Sequence, residues 1–557
     1  MRAEQLLQHF ERISEAPDAI PRLRRFILDL AVRGKLVEQE PADEPAAELL
    51  KRIAAEKARM LKEGALRSRL KENNDLAITE SEKYLALPGS WSWIRLMELG
   101  YTQTGTSPSS ANSDLFGNEI PFIKPGDLDG DEIIYDGPGL SLEGIKHSRL
   151  AASNTVLMVC IGATLGKVNT TNRPICFNQQ INSVTPVKCV ESMYLALALK
   201  CPEFQKLAWS KAGTGTLPII SKGKWEVLPI PLPPLAEQHR IVAKADELMS
   251  LCDQLEAARA EREKCRDSLV AASLQGLNQP AVEEETFREH ASFTFNNLPR
   301  ITTRATHIKQ LRQTILNLAV RGKLAEQEPS EDTVSMRYQN ELGGEDIPET
   351  WRVLNFGKYC NIEGGNQPPK SMFIDKPRNG YIRLFQIRDL GDRPVPVYIP
   401  VVSARSLCKE GEILIGRYGA SVGKIFWAKN GAYNVAMAKF IWPGDAFIPR
   451  FAFFLLKSDY LQGPLNAATR SAQAGFNKSD LAPINFPLPP LAEQHRIVAK
   501  VDELMAICDQ LEAQITVMEQ DSRHFLESVL ADALAPGGNP SFGRECELAI
   551  KERSSGS

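Results

Sequence analysis

The sequence has no paired cysteines, no long apolar run and no large net charge, and each absence narrows its class. Its 10 cysteines are scattered without a Cys-x-x-Cys pair, which argues against a zinc ribbon or a disulfide framework and favours a reducing cytoplasm. The most apolar stretches, such as TVLMVCIGA, are far too short to span a bilayer. The first residues contain no apolar segment, so we expect no signal peptide. A net charge of −3 gives no overall sign of a polyanionic partner.

What the chain does contain is an internal duplication. With 557 residues, it is long enough for several domains. Residues 231–257 and 487–513 both begin PLPPLAEQHRIVAK and differ at only 3 of 27 positions. Upstream, LRRFILDLAVRGKLVEQEP at 23–41 and LRQTILNLAVRGKLAEQEP at 311–329 differ at 4 of 19 positions. Each copy therefore consists of a LAVRGKL helix, a variable block and an LPPLAEQHRIVAK helix.

Heptad spacing of apolar residues predicts a long helix after each LPPL segment. In the second copy one row runs from Ile497 through Leu504 to Met518 and Phe525, and the first copy begins the same row at Ile241. Prolines can precede or open such a helix but cannot continue it. The rows favour pairing of the two helices with each other, and packing of each helix on its own domain is the alternative.

The variable blocks, residues 88–230 and 348–486, predict two α/β domains of one fold with different surfaces. Both contain many Gly, Pro and Asn residues and short β-like runs. Faint landmarks keep their order, such as GATLGKV and GASVGKI. The predicted boundaries are a helical arm at 1–86, a first domain at 87–232, a central helical region at 233–330, a second domain at 331–486, a distal helix at 487–536 and a flexible tail at 537–557.

Local charge indicates where a nucleic acid could bind. Residues 356–486 hold 17 Lys and Arg against 9 Asp and Glu, and residues 146–224 hold 10 against 2. Residues 98–143 instead hold 1 Lys against 9 acids, so we expect DLDGDEIIYD to lie off any DNA-binding face. Basic segments mixed with amides and hydroxyls suit phosphate and base-edge contacts, although a solvated surface would have the same composition.

The sequence offers little evidence of catalysis. GATLGKV and GASVGKI have three residues between glycine and Gly-Lys and are followed by Val or Ile, so neither matches an ATP-binding loop. The turn lysines, Lys167 and Lys424, could still meet a DNA phosphate. His239 and His495 have no Cys or acidic neighbours at metal-ligand spacing. We therefore predict no catalytic residue and no metal site.

The duplicated PLPPLAEQHRIVAK exit, the GATLGK-like turn and the following FNQQINSV and YNVAMAKF segments resemble the specificity subunits of type I restriction-modification enzymes. The resemblance implies two target recognition domains separated by long helices that pair as an antiparallel coiled coil, an α+β fold with a pseudo-two-fold repeat. It implies that each domain recognises half of a bipartite DNA site and that the helices dock two methyltransferase subunits. Up to two motor-nuclease subunits would join them. S-adenosylmethionine, ATP and Mg would be bound by these partners, with no cofactor in this chain.

Candidate DNA-binding residues follow from the polar clusters and from this resemblance. Because the family often carries Asn-Gln after the turn, that contact transfers more readily to Asn178 and Gln179 than to Asn434. A stand-alone DNA-binding regulator, or a methyltransferase or nuclease in its own right, remains the alternative. The candidates are Thr104, Thr106, Lys124, Lys167, Asn178, Gln179, Gln180, Thr214, Thr216 and Lys222 in the first domain, and Asn366, Gln367, Lys370, Arg383, Gln386, Arg388, Arg417, Tyr418, Lys424, Arg470, Gln473, Asn477 and Lys478 in the second.

Overall fold

The computed structural model describes residues 16, 18–62, 77–130, 132–213, 217–279, 284–328, 334, 338, 347–390, 394–468 and 475–534. The candidates Thr214, Thr216, Arg470 and Gln473 lie outside this part of the chain, as does the predicted tail. The chain divides into two compact units: unit 1 comprises residues 1–260 and 519–557, and unit 2 comprises residues 261–518. Unit 1 contains the first variable block, here named head 1 (residues 88–230), and unit 2 contains the second, head 2 (residues 348–486).

Unit 1 begins with the arm helices α1 (Ala19–Val32) and α2 (Ala46–Lys62), and the chain leaves head 1 through α7. In head 1, a four-stranded sheet has the order β2-β10-β7-β8, a three-stranded sheet has the order β4-β9-β6, and the pairs β1-β11 and β3-β5 complete the domain. The elements are β1 (Ser92–Arg95), β2 (Gly100–Thr104), β3 (Phe116–Gly117), β4 (Phe122–Ile123), β5 (Gly139–Leu140), α3 (Leu142–Lys146), β6 (Leu150–Ala151), β7 (Val156–Val159), β8 (Val168–Thr170), β9 (Ile175–Phe177), β10 (Ile181–Pro186), α4 (Ser192–Lys200), α5 (Pro202–Lys211), α6 (Lys222–Trp225), β11 (Pro229–Leu232) and α7 (Leu235–Asn278).

Unit 2 holds the end of α7, two further helices, head 2 and the start of α14. Its sheets have the orders β13-β20-β17-β18 and β15-β14-β19-β16, and β12 pairs with β21. The elements are α8 (Glu284–Ile301), α9 (Ala305–Ala319), β12 (Arg352–Asn355), α10 (Phe356–Tyr359), β13 (Asn361–Gly364), β14 (Tyr381–Phe385), β15 (Tyr398–Pro400), β16 (Leu407–Cys408), β17 (Ile413–Gly416), β18 (Ile425–Trp427), β19 (Gly431–Tyr433), β20 (Met437–Ile441), α11 (Pro449–Lys457), α12 (Asp459–Ala468), α13 (Lys478–Leu481), β21 (Asn485–Leu488) and α14 (Leu491–Leu534).

The two heads share one topology, which confirms the predicted pair of related α/β domains. The order β2-β10-β7-β8 corresponds strand by strand to β13-β20-β17-β18. The central strands β7 and β17 are buried at every position, because both faces of each sheet are covered. In β7, Val156 and Met158 enter the core that contains α4, whereas Leu157 and Val159 enter a second core with β9. This double burial explains why TVLMVCIG has no polar alternation.

Two helices of 44 residues each leave the heads, α7 and α14. At 1.5 Å per residue, each is about 66 Å long. Both begin directly after a proline pair, where the first turn closes onto the carbonyls of Pro234 and Pro490. The helix α7 starts in unit 1 and ends in unit 2, and α14 starts in unit 2 and ends in unit 1. The fold class predicted from the duplicated helices and divergent domains is therefore confirmed.

The predicted heptad rows pack first on the arm helix of the same copy. The row beginning at Ile241 is buried with Ile27 and Leu30 of α1, and the row beginning at Ile497 is buried with Ile308 and Ile315 of α9. The end of α14 packs on the arm in unit 1, where Leu526 and Val529 contact Ala16 and Ala19. Between these regions Met518, which the heptad assigned to the seam, is 68 % exposed. The first half of each helix thus packs on its own copy, the alternative weighed above.

The repeated sequence forms the same junction twice. The indole Nε1 of Trp91 donates to the Glu237 carboxylate at 2.9 Å, and Trp351 donates to Glu493 at 2.8 Å. Gln39 of the first arm also donates to Glu237, as Gln327 of the second does to Glu493. Both glutamates are 1 % exposed. A buried carboxylate needs donors, so one glutamate ties the arm, the head and the long helix together in each copy.

A second buried residue of the motif fixes the head to its exit helix. Gln238 accepts from the N–H of Glu191 at 2.9 Å, and Gln494 accepts from the N–H of Ile448 at 2.8 Å. Both amides donate to the preceding proline carbonyl at 3.0 Å. These shared contacts give a structural reason for the identity of the buried Glu-Gln pair in the two copies, because both residues make the same bonds in each unit.

Candidate nucleic-acid interface

The polar clusters singled out in the sequence converge on one edge of the four-stranded sheet in each head. Strand β10 pairs antiparallel with both β2 and β7, with Asn182 opposite Thr104 and Ile181 opposite Val159. The loops that follow β2 and β7 and precede β10 therefore leave the sheet together. In head 2 the same is true of β13, β17 and β20. We name these regions loop edge 1 (residues 104–108, 160–162, 177–180 and 217–222) and loop edge 2 (residues 364–370, 416–418, 433–436 and 475–478).

An asparagine holds the loops together at the same place in both edges. The Asn178 side chain donates to the hydroxyl of Ser107 at 3.1 Å and accepts from the N–H of Gln180 at 2.8 Å. The Asn434 side chain donates to Gln367 at 3.4 Å and accepts from the N–H of Ala436 at 3.3 Å. Both oxygens and both amide nitrogens are thus used within the protein. Asn178 and Asn434 are equivalent, and the sequence-based preference for Asn178 over Asn434 has no counterpart in the structure.

A glycine lets the two loops approach closely. The N–H of Gly105 donates to Ile181 O at 3.1 Å, and that of Gly365 donates to Met437 O at 3.0 Å. A Cβ at Gly105 would overlap with the carbonyl oxygens of Phe177 and Asn178, and a Cβ at Gly365 would overlap with that of Asn434. No other residue fits between these backbones without moving them. We call this glycine and asparagine the frame of each loop edge; it consists of Gly105 and Asn178 in head 1 and of Gly365 and Asn434 in head 2.

The side chains that this frame presents differ between the heads. Backbone hydrogen bonds fix the correspondence: the N–H of Thr106 donates to Phe177 O at 3.0 Å, and that of Asn366 donates to Tyr433 O at 3.2 Å. Around these bonds nearly every equivalent side chain changes its chemistry, and all of them except the buried Cys160 are at least partly exposed. The equivalent pairs are Cys160 and Arg417, Ile161 and Tyr418, Thr106 and Asn366, Ser107 and Gln367, Gln179 and Val435, Gln180 and Ala436, Ile219 and Gly475, and Ser221 and Asn477.

Loop edge 2 is cationic and aromatic. The Arg417 guanidinium donates through Nε to Phe476 O at 2.9 Å and through Nη2 to the Asn477 side chain. It also lies 5.1 Å from the centroid of the Tyr418 ring, which is 43 % exposed. Asn477 opens α13, and the exposed Lys478 follows it. These contacts orient a guanidinium and an aromatic face at the surface, a combination suited to bases and phosphates.

Loop edge 1 carries less positive charge at the equivalent positions. Cys160 replaces Arg417, and burial raises the pKa of its thiol to about 12, so the group stays neutral at physiological pH. Lys222 opens α6 as Lys478 opens α13, but it is paired with Glu226, which also accepts from the Thr102 hydroxyl at 2.7 Å. The outward groups of this edge are mainly hydroxyls, amides and aliphatic side chains.

The glycine-lysine turns follow β7 and β17 and are anchored alike. Gln205 donates to Gly166 O at 3.0 Å, and Gln462 donates to Gly423 O at 2.9 Å. The lysines at their ends differ. Lys167 is paired with Asp129 at 2.9 Å, whereas Lys424 is exposed. Asp129 belongs to the acidic segment expected to lie off a DNA-binding face, and it neutralises the turn lysine of head 1.

Another group of candidates follows β4 and β14. Lys124 and Gln386 occupy equivalent places, because an aspartate three residues later accepts from each backbone N–H, at 2.7 Å and 2.9 Å respectively. In head 2 this aspartate, Asp389, also lies 3.7 Å from Arg383, whose guanidinium lies 5.4 Å from the Phe385 ring centroid. Lys124 is exposed and Gln386 is half-buried.

The structure thus sorts the described candidates into three groups. In the first group the side chains bond within the protein: Thr104 to Asn182, Asn178 to Ser107, and Lys222 to Glu226. Lys167, Arg383 and Arg417 face protein partners but remain part-exposed. The candidates that are exposed, or half-exposed at a loop edge or next to one, are Thr106, Lys124, Gln179, Gln180, Asn366, Gln367, Lys370, Gln386, Arg388, Tyr418, Lys424, Asn477 and Lys478.

The sequence reasoning missed the residues that support these loops. Ser107 bonds both Asn178 and Gln179, and the hydroxyl of Ser148 donates to Thr106 O at 2.7 Å. Asn434 was ranked below Asn178 because Val435, and not glutamine, follows it, although both asparagines hold their loops in the same way. Its place after an aromatic residue, in FNQQ and YNVA alike, was the signal that could have identified it.

Within the described residues, no group of three or more His, Cys, Asp or Glu could hold a metal ion. His239 lies 3.3 Å from Glu191 at the exposed start of α7, which fits a surface contact. No helix of the described part is long and apolar enough to cross a membrane.

Comparison with known proteins gives a consistent result. The family model described as "Type I restriction modification DNA specificity domain" matches residues 88–262 and 348–517, more than half of the chain. The specificity subunits of the type I restriction enzymes EcoEI and EcoAI from Escherichia coli are 26 % and 27 % identical to this chain, over 92 % of it and 93 % of their own length. A solved chain described under "complex assembly and conformational transition of the type I R-M system" matches with a TM-score of 0.53 at 21 % identity. It covers 82 % of this chain and 100 % of that chain, and it supports the fold.

Proposed function

This chain belongs to the family of type I restriction-modification specificity subunits, and from that premise we propose that head 1 and head 2 each recognise one half of a bipartite, asymmetric DNA site. Its relatives are named as specificity subunits, and it has the same non-catalytic role in a restriction-modification enzyme. DNA is the proposed ligand of both loop edges, and the cytoplasm is the proposed place of action.

The observation that carries this proposal is the identical frame with different outward side chains. Recognition of two unlike half-sites needs one way of placing loops against DNA and two sets of contacts. Loop edges 1 and 2 are built by the same glycine and asparagine bonds, yet they present Gln179 and Val435, or Ile161 and Tyr418, at matching positions.

The exposed groups have the chemistry that DNA contacts require. Arginine pairs bidentately with guanine in the major groove, and glutamine or asparagine pairs with adenine. In head 2, Gln367 and Asn477 supply amides beside the part-exposed Arg417, and exposed Lys424 and Lys478 suit phosphates. In head 1 the corresponding groups are Gln179, Gln180 and Lys124.

We further propose that α7 and α14 dock two methyltransferase subunits, through residues 236–275 and 491–535. Two copies of one partner need the same surface twice, and the start of each long helix offers it. Ala236 and His239 are exposed on α7, as are Ala492 and His495 on α14, beside the identical buried junction. In this arrangement the partners bind S-adenosylmethionine, ATP and Mg, and up to two motor-nuclease subunits complete the enzyme.

The decisive experiment exchanges residues 88–230 for the corresponding block of a relative, in the full chain assembled with its methyltransferase partner. Mapping methylated adenines genome-wide before and after the exchange gives both half-sites. We expect one half to change and the other to persist. A matched exchange of 348–486 should change only the other half. If both halves changed in either exchange, or if neither did, the modular proposal would be wrong.

A further inference from the structure

Loop edge 1 carries an aliphatic patch that the functional argument has not used. Its members, Ile161, Leu217 and Ile219, lie where two loop segments pair, and Leu217 and Ile219 are 49 % and 44 % exposed. The segments are firmly held: the N–H of Gly162 donates to Pro218 O and the N–H of Ile220 donates to Cys160 O, both at 2.9 Å. The side chains are therefore presented to solvent by a fixed backbone.

An amide lies beside this patch. A Cβ built on Gly162 would lie 4.0 Å from both the Nε2 of Gln180 and the Cδ1 of Leu217, so the amide and the leucine methyl flank the same open point above the glycine. The Gln180 backbone is fixed through its N–H, bonded to Asn178, and its carbonyl, bonded to Cys160 N–H at 2.8 Å. The side chain extends from an anchored residue.

Among the described loop residues, this aliphatic patch is found in head 1 and has no counterpart at the equivalent place in head 2. At the equivalent place in head 2, Tyr418 pairs with Gly475 and Arg417 lies over the tyrosine ring. A docking surface for two copies of one methyltransferase should recur in both copies, as the helix starts do. A surface that differs between the heads instead fits the element that differs between the half-sites.

We infer that this patch recognises an A·T base pair in the half-site of head 1, with Leu217 or Ile219 against the thymine C5 methyl group and Gln180 on the adenine. Aliphatic contact with the thymine methyl and bidentate amide contact with adenine are the two major-groove features that distinguish this base pair. The inference rests on the proposed function and gives it a specific base-pair class.

Uracil substitution tests the contact directly, because uracil lacks only the C5 methyl group. The half-site of head 1 is first assigned by the 88–230 exchange. Duplexes are then made in which each thymine of that half-site is replaced in turn, and their Kd for the assembled methyltransferase complex is measured. Loss of one buried methyl group predicts about fourfold weaker binding at one thymine. Any change in Kd caused by uracil in the other half-site should be the same for the parent chain and for variants of the patch.

The variants Leu217→Ala and Ile219→Ala are each combined with the uracil substitution in a double-mutant cycle. At least one of them should bind thymine and uracil duplexes equally, because the methyl group no longer has its contact. Leu142→Ala, at a 70 % exposed leucine of head 1 outside loop edge 1, is the matched control and should keep the discrimination. Thermal midpoints close to that of the parent chain would show that the variants are folded.

The outcomes separate this inference from the proposed function. Uracil tolerance at all thymines of the head 1 half-site, or unchanged discrimination in both variants, would overturn the inference while leaving bipartite recognition intact. Failure of the 88–230 exchange to alter one half-site alone would instead overturn the proposed function.

Discussion

After β9 in head 1 and after β19 in head 2, an asparagine is held by the same two hydrogen bonds, yet the exposed residue that follows is Gln179 in one head and Val435 in the other. The comparison recurs at the sheet edge, where Ile161 and Tyr418 lie at equivalent positions. The glycine and asparagine that hold the loops stay the same, and most exposed residues around them change. In these heads, divergence is therefore a guide to recognition, and identity is a guide to construction.

The shared glycines give the strongest test of the common frame. Gly105→Ala and Gly365→Ala would each force a Cβ into a backbone carbonyl, and each should cost about 3 kcal/mol of stability in its own head. Hydrogen exchange of β10 and β20 measures the two heads separately. Gly126→Ala and Gly444→Ala, where the added Cβ meets nothing within 4 Å, are the matched controls. Tolerance of alanine at one position only would break the proposed equivalence.

The duplicated junction should respond to pH when its tryptophan is lost. Burial raises the pKa of Glu237 from its ordinary 4.5, and the Trp91 hydrogen bond opposes that rise. Trp91→Phe should therefore raise this pKa further and cost about 2 kcal/mol at neutral pH. Because the folded state then binds its proton more tightly than the unfolded state, stability falls as pH rises above 4.5 towards the raised pKa.

Thermal unfolding at pH 4.5 and pH 7 measures this effect, and the penalty of Trp91→Phe should be larger at the higher pH. Trp351→Phe should also destabilise unit 2 at pH 7, because Trp351 and Glu493 form the same hydrogen bond. Trp93→Phe is the control, since Trp93 packs edge-on against Tyr84. An equal penalty at both pH values would contradict the role given to the carboxylate.

The asparagines test whether frame and recognition are separable. Asn178→Ala and Asn434→Ala should each cost about 1 kcal/mol, because each removes a side chain that makes two hydrogen bonds. Gln179→Ala should leave stability nearly unchanged and weaken specific DNA binding. Thermal midpoints and DNA affinities of the three variants decide the matter. Asn178→Ala with full stability but altered base preference would return that residue to the DNA-contacting group.

The arm ion pairs should give the smallest effect. Arg24 lies 3.1 Å from Glu256, and Arg312 lies 2.9 Å from Glu512 and 2.7 Å from Asp509, in corresponding places of the two copies. Their acidic partners are largely exposed, so Arg24→Gln and Arg312→Gln should each cost about 0.5 kcal/mol and less at high salt. Lys51→Gln is the control, because the exposed Lys51 is paired with Glu48 of the same helix and not with a residue of another element. Unequal losses would indicate that the two arms are not packed alike.

Much of the architecture followed from sequence, and most of the side-chain roles did not. The duplication predicted two related domains and a long helix after each LPPL segment, and the first of these helices spans Leu235–Asn278. Thr104 and Lys167 were predicted to bind DNA because of their chemistry. In the fold, however, Thr104 donates to Asn182 and Lys167 is paired with Asp129. These partners lie 78 and 38 positions away, a separation that no local pattern encodes. The same applies to Gln205 and Gln462, which anchor the turns from distant helices.

The sequence by itself determined that this protein contains an internal duplication. Segments with nearly identical residues and the same spacing of apolar positions form the same helices and the same buried bonds. It also determined that the two blocks between them would present unlike surfaces. Only the tertiary structure decided which polar groups remain available to DNA. That outcome depends on hydrogen-bond and charge partners brought together by strand pairing, and a donor already satisfied inside the protein has little left to offer a base.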